Sequence, residues 1–511
     1  MTPLELTGAP LSAAEVEEVA REGRPVQLGA AAVDALAAGR AIVDELARGQ
    51  TPAYGVSTGF GALARRSIPP ELRAQLQRSL VRSHAAGMGS VVEPEVVRAM
   101  QVLRLRTLCT GRTGVRPLVA DSLAALLNAG IVPAVREHGS LGCSGDLAPL
   151  AHAALVLIGE GEVLDDRGAA VPAGPALEAA GLEPIELLAK EGLALINGTD
   201  GMLGMLVLAC TDFERLLRTA DVTAALSVEA LLGTDRAFGP EVQDLRPHPG
   251  QGASARNLLR LLATSGIVAS HRFGDDRVQD AYSLRCAPQV AGAARDTLDH
   301  ARLVAERELA SAIDNPVVLP DGRVESNGNF HGAPVAFVCD FLAIAAAEVG
   351  SIAERRTDRL LDRARSEGLP AFLADDPGVD SGLMLGQYTQ AAMVAENRRL
   401  AAPASVDSIP TSAMQEDHVS MGWAAARKLR QALTNLRGIL AIELVAAARG
   451  VELRGPLQPA PGTGAALREL RETVPGSGPD RYLSPELRAA EVLLGSGRLV
   501  AAVEAAIGPL D

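Results

Sequence analysis

The chain has 511 residues, 48% of them hydrophobic but only 3% aromatic, and carries a formal charge of −14. A chain of this length and apolar content can bury a large core, and its Ala and Leu richness makes aliphatic helix packing the expected way to do so. The acidic balance argues against nucleic acid and against anionic membrane surfaces as partners.

The first residues, Met1-Thr2-Pro3-Leu4-Glu5-Leu6, show neither the basic nor the apolar segment of a signal peptide. Ser12-Ala13-Ala14-Glu15 has capping-box form and predicts the first helix. Tyr54-Gly55-Val56-Ser57-Thr58-Gly59-Phe60-Gly61 sets a tyrosine on a glycine-rich loop, which is either an ordinary loop or a movable phenol. Ser83-His84-Ala85-Ala86-Gly87 sets a histidine among small residues, where a structural role is the plain reading. Residues 1–110 alternate short helices with Gly/Pro breaks and read as an N-terminal globular part. Residues 111–511 read as a helical bundle, so the expected fold is mainly α, a compact N-terminal unit with long antiparallel helices.

Gly139-Ser140-Leu141-Gly142-Cys143-Ser144-Gly145-Asp146-Leu147-Ala148-Pro149-Leu150-Ala151-His152 is the most informative segment. A Ser-Gly pair is first of all a turn signal. In a tight turn, however, the Gly145 nitrogen can attack the Cys143 carbonyl and close a five-membered ring. Loss of water from the ring and from the Ser144 hydroxyl then leaves an exocyclic methylene, an electrophile made from backbone. Glycine suits the attacking position because a side chain there would crowd the ring. Cys143 or Ser144 with His152 could instead form a hydrolase nucleophile pair, although the segment lacks the second glycine of a G-x-S-x-G elbow.

Further along, Leu195-Ile196-Asn197-Gly198-Thr199 reads as an Asn-Gly turn followed by Asp200. Gln279-Asp280-Ala281-Tyr282-Ser283-Leu284-Arg285 puts a tyrosine and an arginine three apart, on one face if helical, and a guanidinium fork can hold a carboxylate bidentately. Asp314-Asn315-Pro316 ends a helix, and Ser326-Asn327-Gly328-Asn329-Phe330-His331-Gly332 follows after a turn. Phe341, Ala345, Val349 and Ile352 repeat at helical spacing, as do Leu429, Leu433, Leu436, Leu440 and Leu444. Ala413-Met414-Gln415-Glu416-Asp417-His418 is expected to open the second of these helices, where Glu416 and Asp417 would suit the helix dipole. Gly455 to Pro479 reads as a loop before a short helical tail. No run of about 18 apolar residues escapes a polar break, so no membrane span is expected. The cysteines, Cys109, Cys143, Cys210, Cys286 and Cys339, contain no C-x-x-C pair, so no metal site and no disulfide framework is indicated, and a cytoplasmic setting fits.

Taken together, the 139–152 segment and the motifs from Tyr54 to His418 resemble the aromatic amino acid ammonia-lyases, in which an Ala-Ser-Gly triplet cyclises to 4-methylideneimidazole-5-one (MIO). Cys143 stands where most members have alanine, a change the ring chemistry tolerates because only the carbonyl is used. The resemblance implies a prosthetic group formed from Cys143, Ser144 and Gly145, with no external cofactor. It implies Tyr54 as the base, Ser144 as the source of the reacting carbon, and Phe330 beside the ring. It also implies substrate binding by His84, Asn197, Gln279, Tyr282, Arg285 and Glu416, with Arg285 as the carboxylate clamp. The Ser-His-Ala-Ala-Gly string and the Gln-Glu-Asp-His element match histidine-directed members, since Glu416 could accept an imidazole N–H that a phenyl ring cannot donate. The expected reaction is deamination of L-histidine to trans-urocanate. The alternatives are a phenylalanine or tyrosine ammonia-lyase or an aminomutase on the same scaffold and, more remotely, a hydrolase or a non-catalytic helical assembly protein. Members of the family are homotetramers whose active sites mix residues from several protomers.

Overall fold

The computed structural model describes residues 1–49, 53–275 and 277–511. The chain is mainly helical, and its strands form two-stranded ribbons only among the described residues. Its contacts define two units: Met1–Leu208, Arg302–Cys339 and Pro403–Arg427 make the first, and Ala209–Ala301, Asp340–Ala402 and Lys428–Asp511 make the second. Residue 110 is not a boundary between them, because the helices Pro94–Leu108 and Pro117–Asn128 on either side pack together within the first unit.

In the first unit the capping box forms as the sequence predicts. The Glu15 amide donates to Ser12 Oγ at 3.2 Å, and the Ser12 amide donates to Glu15 Oε2 at 2.8 Å. Leu4–Leu6 pairs in parallel with Val26–Leu28, and Met88–Val91 runs antiparallel to Arg136–His138. The helix Pro94–Leu108 buries nearly every side chain from Val96 onward, as a core helix must. Within it Arg106 is held by main chain, donating to the carbonyls of Ala9 (3.0 Å), Ser311 (2.5 Å) and Ala310 (3.2 Å).

In the second unit long helices surround a buried ion pair. Glu443, with no exposed side-chain surface, receives Arg356 together with the hydroxyls of Thr223 (2.7 Å) and Ser227 (2.9 Å). Breaking such a pair from one side costs roughly 3–5 kcal/mol. Helix directions are mixed. Gly350, Arg356 and Leu360 lie against Ile439, Glu443 and Gly450 in turn, so Ala333–Leu361 and Gly422–Glu452 run parallel here. Gln390 and Asn397 donate to the carbonyls of Ile439 (2.9 Å) and Ala432 (3.1 Å), so Met384–Leu400 runs antiparallel to the latter helix. A long chain excursion between successive parallel helices permits this.

The leucines at 429, 433, 436, 440 and 444 are all buried. The other expected stripe is offset from the buried face: Phe341 is 45% exposed and Ala345 and Ile352 are half-buried, and only its Val349 turns inward with Leu342, Ala343, Ala346 and Ala353. That helix is also the one long enough and apolar enough to cross a membrane among the described residues, with a mean hydropathy of 1.9 over its most apolar window. More than half of that window, 56%, is buried inside the protein, as in a core helix. The segment expected as a loop from Gly455 contains the helix Pro461–Arg471, which Pro461 opens at a position where no amide donor is needed.

Candidate active site

The triplet lies in a turn ahead of the helix Leu147–Leu157. Gly142 and Gly145 both have left-handed backbone, φ 66° and 79°. A Cβ on Gly145 would overlap the Gly198 carbonyl, so no other residue fits there. The Asp146 amide donates to that same carbonyl at 2.7 Å. The Gly145 amide makes no hydrogen bond among the described residues. Asp146 braces the turn from below: its carboxyl accepts from Ser140 Oγ (2.9 Å) and from the Met202 amide (2.8 Å) in the first turn of Asp200–Ala230. Burial pushes this carboxyl up to about 7 against those hydrogen bonds. From the other side Ser420 Oγ donates to the Gly142 carbonyl at 2.9 Å, and the Met421 amide donates to that of Leu141 at 2.8 Å.

Ser144 opens onto a cavity of about 590 Å³ within the first unit, and Tyr54, His84, Asn197 and Glu416 line the same cavity. Tyr54 is held by the Gly61 amide, which donates to its phenol oxygen at 3.1 Å, and by Phe60, edge-on at 6.3 Å between ring centroids. His84 ends the helix Arg73–His84, and its Nδ1 lies 2.9 Å from the Leu80 carbonyl. That partner assigns the proton to Nδ1 and leaves Nε2 as an acceptor. Burial lowers the His84 pKa against the opposing pull of the Leu80 carbonyl and Glu416. Glu416 accepts from Thr411 Oγ1 at 2.8 Å. It does not stand in a helical first turn, because Ser412–Met414 is a 3-10 turn and the long helix begins only at Gly422. The dipole reading of Glu416 and Asp417 therefore fails, and the Glu416 carboxylate belongs to the cavity wall.

Asn197 follows the helix Glu191–Ile196 and is 2% exposed. Its Nδ2 donates to the Asn315 carbonyl at 2.8 Å, while its Oδ1 is buried without a partner. The supporting groups were not evident from sequence. Arg104 donates to the carbonyls of Asn197 (2.7 Å) and Ile313 (2.8 Å), and Lys190 pairs with Asp314 at 2.5 Å with neither side chain exposed. The chain has only two lysines, and that rarity was the available signal for Lys190.

Cys143 does not behave as a nucleophile here. Burial, and then the Glu416 carboxylate, push its thiol up to about 12, so the thiolate is absent at neutral pH. His152 Nε2 accepts from the Gly87 amide at 3.1 Å, the hydrogen bond this ring makes among the described residues. The hydrolase pair is thereby disfavoured.

Besides Cys143 and Gly145 of the triplet, four expected residues do not line the cavity. Phe330 is half-buried in the turn before Ala333–Leu361. Gln279, Tyr282 and Arg285 belong to the second unit. Tyr282 and Arg285 do share a face of the short helix Tyr282–Arg285, with the guanidinium 4.6 Å from the ring centroid, but Tyr282 is 72% exposed. The one hydrogen bond Arg285 makes among the described residues goes to the Asp280 carbonyl, at 3.0 Å.

Residues 11–472 match the family model for aromatic amino acid lyases. The chain belongs to the aromatic amino acid lyase family. The relatives of this lyase include the histidine ammonia-lyases of Streptomyces avermitilis and Streptomyces griseus, each 66% identical over 98% of both chains. Among solved structures, a tyrosine aminomutase from Streptomyces globisporus superposes with a TM-score of 0.94 at 39% identity over 100% of both chains. A histidine ammonia-lyase from Trypanosoma cruzi superposes with a TM-score of 0.91 at 38% identity, covering 99% of this lyase and 96% of its own chain. A lyase and an aminomutase thus share this backbone, and the cavity walls rather than the fold must separate their substrates.

Proposed function

We propose that the chain removes ammonia from L-histidine without oxidation, giving trans-urocanate, the first step of histidine degradation. The observation that carries this reading is the Glu416 carboxylate in one cavity with His84, Asn197 and Ser144. A carboxylate there suits an imidazole N–H, and a phenyl ring would leave it unpaired. The names of the curated relatives agree.

The triplet suits the family's prosthetic group: Gly145 has no room for a side chain and an amide without a hydrogen bond among the described residues, and Asn197, whose buried Oδ1 has no partner there, lines the same cavity. Cys143, Ser144 and Gly145 would hold 4-methylideneimidazole-5-one, which supplies an electrophilic carbon for covalent capture of the substrate. The remaining work falls to side chains. Tyr54 takes the β-proton, its oxygen held in place by the Gly61 amide. Asn197 Oδ1 accepts from the substrate ammonium. Glu416 accepts from the imidazole N–H, and His84 faces the same ring.

Arg285, Tyr282 and Gln279 act on the cavity of another copy in a homotetramer, with Arg285 clamping the substrate carboxylate bidentately. The exposure of Phe273 (88%), Val278 (99%) and Tyr282 (72%) on one short stretch supports an interface there. A cytoplasmic setting suits the five free cysteines.

The test is incubation with L-histidine, L-phenylalanine and L-tyrosine in turn, following the conjugated acid in the ultraviolet and any β-amino acid by chromatography. Urocanate from histidine is expected. Cinnamate or a β-amino acid without urocanate would overturn the assignment in favour of another reaction on this scaffold.

A further inference from the structure

The helix Pro94–Leu108 carries an arginine that is 2% exposed and contacts neither solvent nor cavity. Burying a guanidinium is expensive unless its donors are matched. Arg104 places its two terminal nitrogens on two distant segments of chain, while its buried Nε has no partner among the described residues. Nη1 donates to the Asn197 carbonyl at 2.7 Å and Nη2 to the Ile313 carbonyl at 2.8 Å. Two residues beyond Ile313 lies Asn315, whose carbonyl receives Asn197 Nδ2 at 2.8 Å. The guanidinium therefore pins both ends of the contact that orients the Asn197 amide.

The next residue tightens the constraint. Gly198 has no room for a Cβ, which would strike Arg104 Nη1 and Asp200 Oδ2. Its carbonyl is the group that meets the Asp146 amide and closes over Gly145. Asp200, buried at the start of its helix, stands 3.4 Å from Arg104 Nη1 and makes no hydrogen bond through Oδ2. It lies beside the guanidinium rather than in the cavity wall, and burial raises its pKa against the pull of Arg104.

We infer that Arg104 is a positioning residue: through its fork onto the Asn197 and Ile313 carbonyls, with Asp200 beside it, it fixes the orientation of the Asn197 amide at the cavity wall and holds Gly198 against Gly145. The inference rests on the histidine-deaminating reading only for its assay. A fork is required because two carbonyls about a guanidinium's width apart must be held at once, which a point ammonium cannot do.

The test is a double-mutant cycle between Arg104→Met and Asn197→Ala on the full chain, reading kcat and KM for L-histidine, thermal midpoint and intact mass. If Arg104 acts through Asn197, each single change lowers kcat by about tenfold or more. The double variant then falls within about twofold of the worse single variant. Additive losses, or a lowered thermal midpoint with wild-type kcat in the folded fraction, would show a structural role only and overturn the inference. Should Arg104→Met not fold, Arg104→Lys carries the same cycle: lowered kcat that does not compound with Asn197→Ala supports positioning, and wild-type kcat refutes it. If wild-type protein makes no urocanate, the functional reading has failed. The positioning inference then stands or falls on whether Arg104→Lys changes the mass deficit of the triplet, which an intact Gly198 contact requires and a structural role would leave alone.

Discussion

Gly145 and Gly198 touch through backbone alone, the carbonyl of one lying where the other would carry a side chain. The amide of Asp146 rather than that of Gly145 satisfies this carbonyl, at 2.7 Å. The attacking nitrogen of the proposed cyclisation is thus pressed into a left-handed turn and left untied, and the fold spends its hydrogen bonds on either side of it.

Gly145→Ala should therefore block ring formation rather than merely weaken the fold. Positive φ and the overlap with Gly198 both oppose a methyl group. The expected outcome is a protein of full sequence mass with no measurable deamination. A variant lighter by two waters would show that the turn tolerates the side chain.

Glu416→Gln keeps the shape of the cavity wall and removes the charge. Losing a charge-assisted hydrogen bond of about 1.5–3 kcal/mol should lower kcat/KM for histidine by roughly ten- to a hundredfold, with the mass deficit unchanged. Steady-state kinetics on histidine alongside phenylalanine check this. Equal losses on both substrates would place Glu416 outside substrate selection.

The Asp146 carboxyl gives a pH signature. Its pKa in the fold, about 7, lies above the ordinary carboxylate value of about 3.9, so the fold favours the protonated form. Its contribution is complete in acid, below the unfolded value, and is lost as pH rises through about 7. The thermal midpoint of wild-type protein should fall between about pH 6 and about pH 8 by more than that of Asp146→Asn, whose amide can meet Ser140 and Met202 without titrating. Identical slopes in calorimetric scans would remove Asp146 as the source.

Mixing chains tests the proposal that the site is shared between copies. Ser144→Ala and Arg285→Gln proteins should each be nearly inactive. Co-expressed or re-assembled together, they should regain part of the wild-type rate, because some cavities then combine an intact Ser144 with an intact Arg285 from another chain. No regain in verified mixed tetramers would mean that both residues act within one chain, or that Arg285 does not act at all.

The sequence was most legible where chemistry demands particular residue types in short runs. The Ser144 turn, the Tyr54 loop, His84, Asn197 and Glu416 are each local signals, and all five meet in one cavity. It was least legible where long-range packing decides. Arg104 looked like any other helical arginine until its partners at Asn197 and Ile313, far away in the chain, came into view. The Phe341 stripe kept helical periodicity, yet it marks a half-exposed face, because periodicity gives the spacing of a face and not what covers it. Glu416 was misplaced onto a helix since its acidic neighbour and the following apolar run imitate a first turn; Ser412 and Ala413, both at positive φ, break the helix there. The two lysines show how rarity can inform: each meets a buried aspartate, Lys190 at Asp314 and Lys428 at Asp340.

The central claim, that Cys143-Ser144-Gly145 becomes the electrophile, is tested most directly by the intact mass of active wild-type protein beside that of Ser144→Ala. The account predicts a wild-type chain lighter than its sequence by two waters and a Ser144→Ala chain without that deficit and without turnover. An active wild-type chain at full sequence mass would contradict it.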